Sequence, residues 1–329
     1  MLKKCGSLSL ILKHAGSIQK GCNFYMKLFE KENLKKSIIF FLILSIMLLL
    51  IQIPFYSARK YGYHYKNVYQ KVETFKKYEN QPLDVLYLGD SVGWATFSPK
   101  VLWNNNGFTS YNLCTSGQWL EDTNAILSEI GERMPKVLVI EGSMLFGHPN
   151  QIKTLFYRNF PLFRYHDYFR YTSEINIFEN PAKGFNSSGI VQPFNNGNDY
   201  MQQVGDNDVI KDDSMQYLEN ILAKCKKFNT EVIVAAVPNG KGWNQSKHQY
   251  LANYCQKKGL PFIDFNMLLD NIHFDWQTDT RDGGEHLNNS GSTKVMEYLS
   301  KYLHDNYQLE DKHNNTDFQS WNELFERGK

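Results

Sequence analysis

Two short stretches of this chain carry residue types that can do chemistry together. Leu88-Gly89-Asp90-Ser91 closes the run Asp84-Val85-Leu86-Tyr87, and Asp282-Gly283-Gly284-Glu285-His286-Leu287-Asn288 lies far downstream. An apolar run that stops at a glycine and a serine reads as a buried strand feeding a tight turn. At the carboxyl end of such a strand a serine hydroxyl stands where open α/β sheets place their ligands. Serine, histidine and carboxylate are the parts of an activated nucleophile. The imidazole takes the hydroxyl proton, and the carboxylate orients the ring and stabilises its charged form. Such a set is recognised by geometry rather than by chain order. Gly-Asp-Ser alone is a common turn, and its pairing with His286 gives it weight. Asp90 is expected to brace the turn without doing chemistry.

The elements that must position these residues follow from the periodicity. Strands are expected at Val85–Leu88, Ser110–Leu113, Val137–Glu141, Glu231–Val237 and Pro261–Phe265. Helical patterns fall near Pro99–Asn104 and at Leu120–Arg133, Met215–Lys227, Gln245–Lys257 and Ser290–Leu303. Near-continuous apolar strands alternating with helices argue for an α/β fold, a five-stranded parallel sheet covered on both faces as a three-layer sandwich. One segment breaks the rhythm. Residues 143–212 form an insertion dense in aromatics (Phe146, Phe156, Tyr157, Phe160, Phe163, Tyr165, Tyr168, Phe169 and Tyr171) and holding Arg158, Arg164, His166 and Arg170. Aromatic density argues against disorder. Such a segment suits a cap that packs, or one that offers flat rings to a sugar or acyl ligand.

Composition bounds the rest. A formal net charge of +2 over 329 residues gives no reason to expect a nucleic-acid partner. The five cysteines are odd in number and scattered, which argues against a disulfide framework. His273, Asp275, Asp279, Asp282, Glu285 and His286 make a His/carboxylate-rich stretch, yet no pair has a compact metal-site spacing. Neither a metal nor a cofactor is expected. Lys241, Trp243 and Lys247 follow the Pro238-Asn239-Gly240 turn and read as a solvated loop, with Trp243 as a pocket wall.

Residues 37–58 carry no charge until Arg59, and Ile38 to Phe55 is almost wholly apolar, long enough to span a bilayer. An uncleaved transmembrane anchor is expected there, because Tyr56-Ser57-Ala58 is a poor cleavage site for a signal peptide. The lysine-rich residues 1–36 would then be a cytoplasmic tail, with the rest of a single-pass protein outside the cell membrane. Met26-Lys27 opens a more usual basic leader than Met1, so Met26 is the expected start. Residues 59–81 read as a juxtamembrane stalk, 82–304 as the α/β domain, and 305–329 as a polar tail at the surface or mobile.

With those residues in place, the region from Asp84 to Leu303 resembles the SGNH (GDSL-like) hydrolases. It most resembles the membrane-anchored type found beside bacterial cell-surface polysaccharide genes. The resemblance rests on Gly89-Asp90-Ser91, on Tyr111-Asn112-Leu113-Cys114-Thr115-Ser116-Gly117-Gln118 and on Gly284-Glu285-His286-Leu287-Asn288. It implies a flavodoxin-like SGNH fold. Ser91 would be the nucleophile, and the N–H groups of Ser91 and Gly117 an oxyanion hole. His286 would be the general base. The implied function is a serine esterase or O-acyltransferase working through an acyl-serine on a cell-surface glycan. The implied partners are the acylated glycan or acyl donor, the membrane, and a membrane-bound acyltransferase. Two features depart from the family pattern. The asparagine that completes the oxyanion hole is missing after strand three, where Glu141-Gly142-Ser143 stands. The family's aspartate lies three residues before the histidine, a position held here by Gly283. Asp282, one residue farther, is preferred as the acid over the adjacent Glu285. These departures keep open an alternative, a catalytically degenerate glycan-binding or scaffolding module.

Overall fold

The structure is a computed structural model that describes residues 31–56, 66–147, 159–166, 180–197, 199–203 and 208–326, with a few single residues between these stretches. Helix α1, Lys31–Phe55, is apolar and exposed around its circumference, with one break before its last turn at Ile53–Tyr56. Helix α2, Lys66–Tyr78, follows. The sheet comprises β1 (Val85–Leu88), β2 (Ser110–Asn112), β3 (Val137–Glu141), β4 (Glu231–Ala236) and β5 (Phe262–Asp264), in the spatial order β2-β1-β3-β4-β5. Every pairing is parallel.

Between β1 and β2 lie α3 (Ser91–Thr96) and α4 (Pro99–Asn106), and α5 (Leu120–Ile130) leads to β3. Within the insertion, α6 (Pro161–Tyr165) is a short helix. Helix α7 (Asp212–Lys227) precedes β4, α8 (Gln245–Lys258) precedes β5, and α9 (Asn289–Asn306) and α10 (Gln319–Glu326) follow it.

Strand alternation sorts the core into two layers. Leu86, Leu88, Leu138, Ile140, Val232 and Val234 face a cluster that includes Val72, Ile126, Ile221 and Leu251. Val85, Tyr87, Val137, Val139 and Ile233 face the opposite one, with Leu102, Val295, Leu299 and Leu303. β1, β3 and β4 are apolar along most of their length because a parallel sheet with helices on both faces exposes neither, whereas β2 is Ser110-Tyr111-Asn112 and buries its polar residues. The expected strands and the three-layer arrangement are therefore observed, with strand ends that differ by no more than one residue.

Two expectations are corrected. The segment 59–81 is not a stalk over its described part, because α2 buries Val68, Val72 and Phe75 in the core. Its lysines concealed a helical stripe with apolar residues at positions 68, 72 and 75, one face of a 3.6-residue period. Nor is the polar tail mobile. In α10 Trp321 and Phe325 are buried, Trp321 Nε1 donates to Gln81 Oε1 at 3.0 Å, and Trp103 Nε1 donates to Asn322 Oδ1 at 3.1 Å. Lys312 reaches the fully buried Asp84, which also accepts from Thr109 and pairs with Lys136 at 3.1 Å. An unpaired charge at that depth would cost several kcal/mol, so the tail lysine is part of the fold. The expected cytoplasmic residues 1–30 lie outside the described residues, as do Tyr157, Arg158, Tyr168, Phe169, Arg170 and Tyr171 of the insertion.

Trp321→Ala should destabilise the protein by about 3–5 kcal/mol, since it empties a large, enclosed site. A mobile tail would give a change near zero. Denaturant unfolding of the two proteins side by side reads the difference.

Candidate active site

The order β2-β1-β3 makes the carboxyl end of β1 the point where successive chain crossovers leave in opposite directions, which opens a crevice there. Ser91 follows β1 directly. Asp90 is the N-cap of α3, and its Oδ1 accepts the Val92 N–H at 2.8 Å. A capping carboxylate satisfies one of the orphan donors at a helix start. Ser91, at the first helical position, keeps its own N–H free of an internal partner. The turn needs Gly89, because a Cβ there would meet Glu141 Cβ at 2.4 Å.

Asn112 at the end of β2 fixes the other end of α3. Its fully buried Nδ2 donates to Gly93 O at 3.1 Å and Phe97 O at 2.8 Å, while its Oδ1 accepts the Cys114 N–H at 2.9 Å. From there the chain runs beside the nucleophile turn, with Thr115 N–H donating to Gly89 O at 3.1 Å. The tight turn 115–118 closes with Gln118 N–H on Thr115 O, and Gly117 takes φ +64, left-handed backbone that glycine adopts without strain. Among the described residues neither Ser91 nor Gly117 donates its N–H to another group, so both remain available to a ligand oxygen.

The histidine arrives from the far end of the chain. Asn288 caps α9 and ties its Nδ2 to Thr278 O at 2.7 Å, and Ser292 Oγ of α9 bonds to Thr96 O of α3. Just before this anchor, the loop 281–286 closes on itself through Arg281 N–H to His286 O at 3.0 Å. Gly283 (φ +74) and Gly284 (φ +103) turn the loop tightly enough for Asp282 to face His286. Asp282 Oδ1 accepts the backbone N–H groups of Glu285 at 3.1 Å and His286 at 2.9 Å, and its Oδ2 bonds to His286 Nδ1. On the other side of the ring, Nε2 lies 2.8 Å from Ser91 Oγ. Serine, imidazole and carboxylate thus form one hydrogen-bonded line.

Asp282 takes the acid position and Glu285 is exposed, so the one-residue shift is absorbed by the two glycines. Burial alone would raise the Asp282 pKa. The His286 N–H, the imidazole and the Glu285 N–H outweigh it and hold the carboxyl below its ordinary range. Its charged form is the one that orients and stabilises an imidazolium. Ligand atoms of Asp282, Glu285 and His286 come within 4.8 Å of one another, a spacing that a metal could use. Both imidazole nitrogens already have partners in the line to Ser91, however, so a metal here would displace one of them. His273, Asp275 and Asp279 do not join this group; Asp279 pairs with Lys294 at 2.7 Å.

Several supporting residues escaped the sequence reading. Phe194 of the insertion packs so closely on Gly284 that a Cβ there would approach its ring to 2.5 Å. Lys241 is not merely solvated: its Nζ donates to Asp282 O at 2.7 Å. Trp243 is buried and donates to Asp264 Oδ2 at 3.0 Å, so it is core and not a pocket wall. A cavity of about 500 Å³ lined by Glu231, Pro261, Tyr302, Asn306, Tyr307 and Gln308 opens at the amino edge of the sheet, opposite Ser91.

Glu141 departs most from expectation. Its fully buried carboxylate accepts Ser143 N–H at 2.9 Å, Ser143 Oγ–H at 2.6 Å and Met144 N–H at 3.0 Å. Those backbone donors are therefore occupied and do not replace the missing asparagine. Desolvation raises the pKa of both Glu141 and Asp90, and each carboxyl lies in the other's field. Glu141 has several donors to stabilise its charge and Asp90 has one. Burial and then the field of Glu141 push the Asp90 carboxyl up to about 7.

No family model matches this chain, and no curated protein matches it. Solved structures do. One is described as a lipolytic protein of the G-D-S-L family from Desulfitobacterium hafniense, at 14% identity over 67% of this chain and 98% of that one, with a TM-score of 0.38. Another is described as a GDSL-like lipase from Bacteroides thetaiotaomicron, at 10% identity over 72% of this chain and 99% of that one, TM-score 0.38. A third, described as a platelet activating factor from a Streptococcus, has 11% identity over 79% and 99%, TM-score 0.43.

A carboxyl whose native pKa is raised binds a proton in the folded state that the unfolded state has lost. Asp90 should therefore reduce stability as pH rises from the ordinary carboxyl value of 3.8 towards about 7. Asp90→Asn keeps the helix cap and removes the titration. Its denaturation midpoint should gain on the parent's between about pH 5 and about pH 8. Parallel midpoints across that range would show that Asp90 is not held neutral.

Proposed function

We propose that this chain is a membrane-anchored serine esterase or O-acyltransferase that works on a cell-surface glycan through an acyl-Ser91 intermediate. The observation that carries the reading is the 2.8 Å contact between Ser91 Oγ and His286 Nε2, with Asp282 on the opposite ring nitrogen. A serine near an imidazole is unremarkable; one in line with an oriented, acid-backed imidazole at a sheet's switch point is poised for attack.

In the proposed reaction Ser91 Oγ bonds to the acyl carbonyl carbon as His286 Nε2 takes its proton. The carbonyl oxygen becomes an oxyanion facing the N–H groups of Ser91 and Gly117, and each such donor is worth roughly 3 kcal/mol in known enzymes. The intermediate collapses as His286 returns the proton to the leaving alcohol. Water or a sugar hydroxyl then attacks the acyl-serine as His286 takes its proton; the bond from Ser91 Oγ to the acyl carbon breaks, His286 returns the proton to Oγ, and the acid or the new sugar ester leaves. The raised Asp90 pKa fits this scheme, because a charged carboxylate next to Ser91 would oppose a developing oxyanion. The glycan rests on the resemblance of the sequence motifs. The anchor rests on α1, the one helix among the described residues long and apolar enough to cross a membrane. Lys31, Lys35 and Lys36 at its amino end favour the cytoplasm for that side.

One observation favours the degenerate reading. The donors of Ser143 and Met144 belong to Glu141, which leaves the oxyanion hole with two backbone N–H groups.

Ser91→Ala and His286→Ala should each lower hydrolysis of an activated acetyl ester by roughly 10³-fold or more, since such residues act as a unit. Asp282→Asn should cost roughly 10²-fold or more, and Glu285→Gln little. The full chain in detergent, assayed for ester hydrolysis and for acetyl transfer to an oligosaccharide, decides. If wild type and Ser91→Ala are equal in both assays, the degenerate module is the correct reading.

A further inference from the structure

The insertion carries an apolar surface that its own packing leaves uncovered. Ile152 is 79% exposed, Leu155 64%, Phe156 42% and Phe163 44%, in a segment attached to an otherwise well-buried domain. The rings form a compact group, with centroids 4.9 Å apart for Phe156 and Phe160, 4.5 Å for Phe156 and Phe163, and 6.3 Å for Phe160 and Phe163. Phe160 N–H donates to Phe156 O at 2.8 Å and Phe163 N–H to Phe160 O at 3.1 Å, so the backbone holds the group together. Large apolar side chains exposed side by side mark an interaction surface.

The place where this group is fastened tells what covers it. Gln52, in the last turns of α1, is only 2% exposed. Its Oε1 accepts the Leu162 N–H at 2.9 Å and its Nε2 donates to Leu48 O at 3.2 Å. α6 thereby packs on the final turn of α1, at Ile53–Tyr56. Apart from Ser45 it is the one polar side chain in the apolar run 38–53, and its hydrogen bonds are satisfied by the span on one side and the insertion on the other. At 1.5 Å per residue Gln52 sits about 5 Å inside the end of the apolar run at Phe55. That depth is the boundary between acyl chains and headgroups, where aromatic side chains anchor membrane proteins and amphipathic segments bury one face.

We propose that the aromatic group of Ile152, Leu155, Phe156, Phe160 and Phe163 seats in the interfacial zone of the same bilayer that α1 crosses. The proposal rests on reading α1 as a membrane span. Its occupant is lipid, because the surface is continuous with a helix that lipid would already surround. The consequence reaches the site. The insertion leaves the sheet after β3 at its carboxyl edge and returns through Phe194 onto Gly284 of the His286 loop. Seating it at the interface turns that edge towards the membrane surface, so the substrate class narrows to acyl groups and acceptors held at or near the bilayer. The aromatic residues would then serve as a second anchor that sets the tilt of the domain.

The test uses the full chain in phosphatidylcholine vesicles with and without bromine, placed on the acyl chains near the headgroups in one set and near the chain ends in another, each Trp being read against the set at its own depth. Ile152→Trp and Phe163→Trp report on the insertion, Leu44→Trp on the centre of the span, and Lys301→Trp on α9 far from either. Circular dichroism and the thermal midpoint check that each variant folds as the parent does. The emission that each of the first three adds over the parent should fall by roughly half in brominated vesicles, and that of Lys301→Trp should not change. Quenching at Leu44→Trp without quenching at Ile152→Trp and Phe163→Trp overturns the proposal and leaves the span intact. Absence of quenching at all three overturns the span, and the proposal with it.

Discussion

The structure depends on the way β1 is held. Its four residues are hydrogen-bonded to β2 on one side and β3 on the other, so its position is fixed by both halves of the sheet. Gly89, the next residue, packs against Glu141 at a distance no side chain would permit. From that point the chain can only turn, and the turn delivers Ser91. The crossovers on either side of β1 then leave in opposite directions, which opens the crevice in which a histidine from the last loop can meet the serine. Everything that supports His286 is arranged to keep this meeting: Asn288 as a cap, α9 bonded to α3 through Ser292, and Phe194 and Lys241 pressed on the loop itself.

Charge at the site is distributed with the same economy. Three carboxyl groups bear on Ser91, and their environments push them apart. Asp282 has two backbone donors and an imidazole and stays charged. Glu141 is deeply buried but surrounded by donors, whereas Asp90 has one donor and a charged neighbour. Separated protonation states among neighbouring carboxyls are a common property of sites that move protons. Glu141 also shows how the sheet's edge is built in this chain. Its side chain ties the start of the insertion to β3, a structural duty that uses the very amides an oxyanion could have used.

Much of the fold was legible because strands buried on both faces leave an unmistakable apolar run, and each of the expected strands is found. Two helices were not legible as core. In α2 the apolar positions are diluted by Lys66, Lys71, Lys76 and Lys77, and in α10 by a mostly polar surrounding. Their burial depends on surfaces supplied by distant parts of the chain, Tyr111 beneath Phe75 and Trp103 beneath Trp321. Such partners leave no local periodic signal. The insertion was legible as aromatic. Its attachment to α1 was not, because a single glutamine in an apolar run has no meaning until Leu162 is seen opposite it.

The sequence by itself determined the chemistry on offer: a serine at a strand end, a histidine before a helix, a carboxylate nearby and a long apolar segment. These are properties of residue type and short-range order, which hydrophobic periodicity and turn residues encode directly. Only the tertiary structure decided which carboxylate meets the imidazole. Glu285 adjoins His286 along the chain and Asp282 lies four residues before it, yet Asp282 meets the imidazole because Gly283 and Gly284 adopt left-handed backbone that folds it back onto the ring. Only the tertiary structure decided, too, that the amides after β3 are occupied. That outcome hangs on where one buried glutamate turns its carboxylate, which is settled by packing between strands far apart in sequence and by no pattern within them.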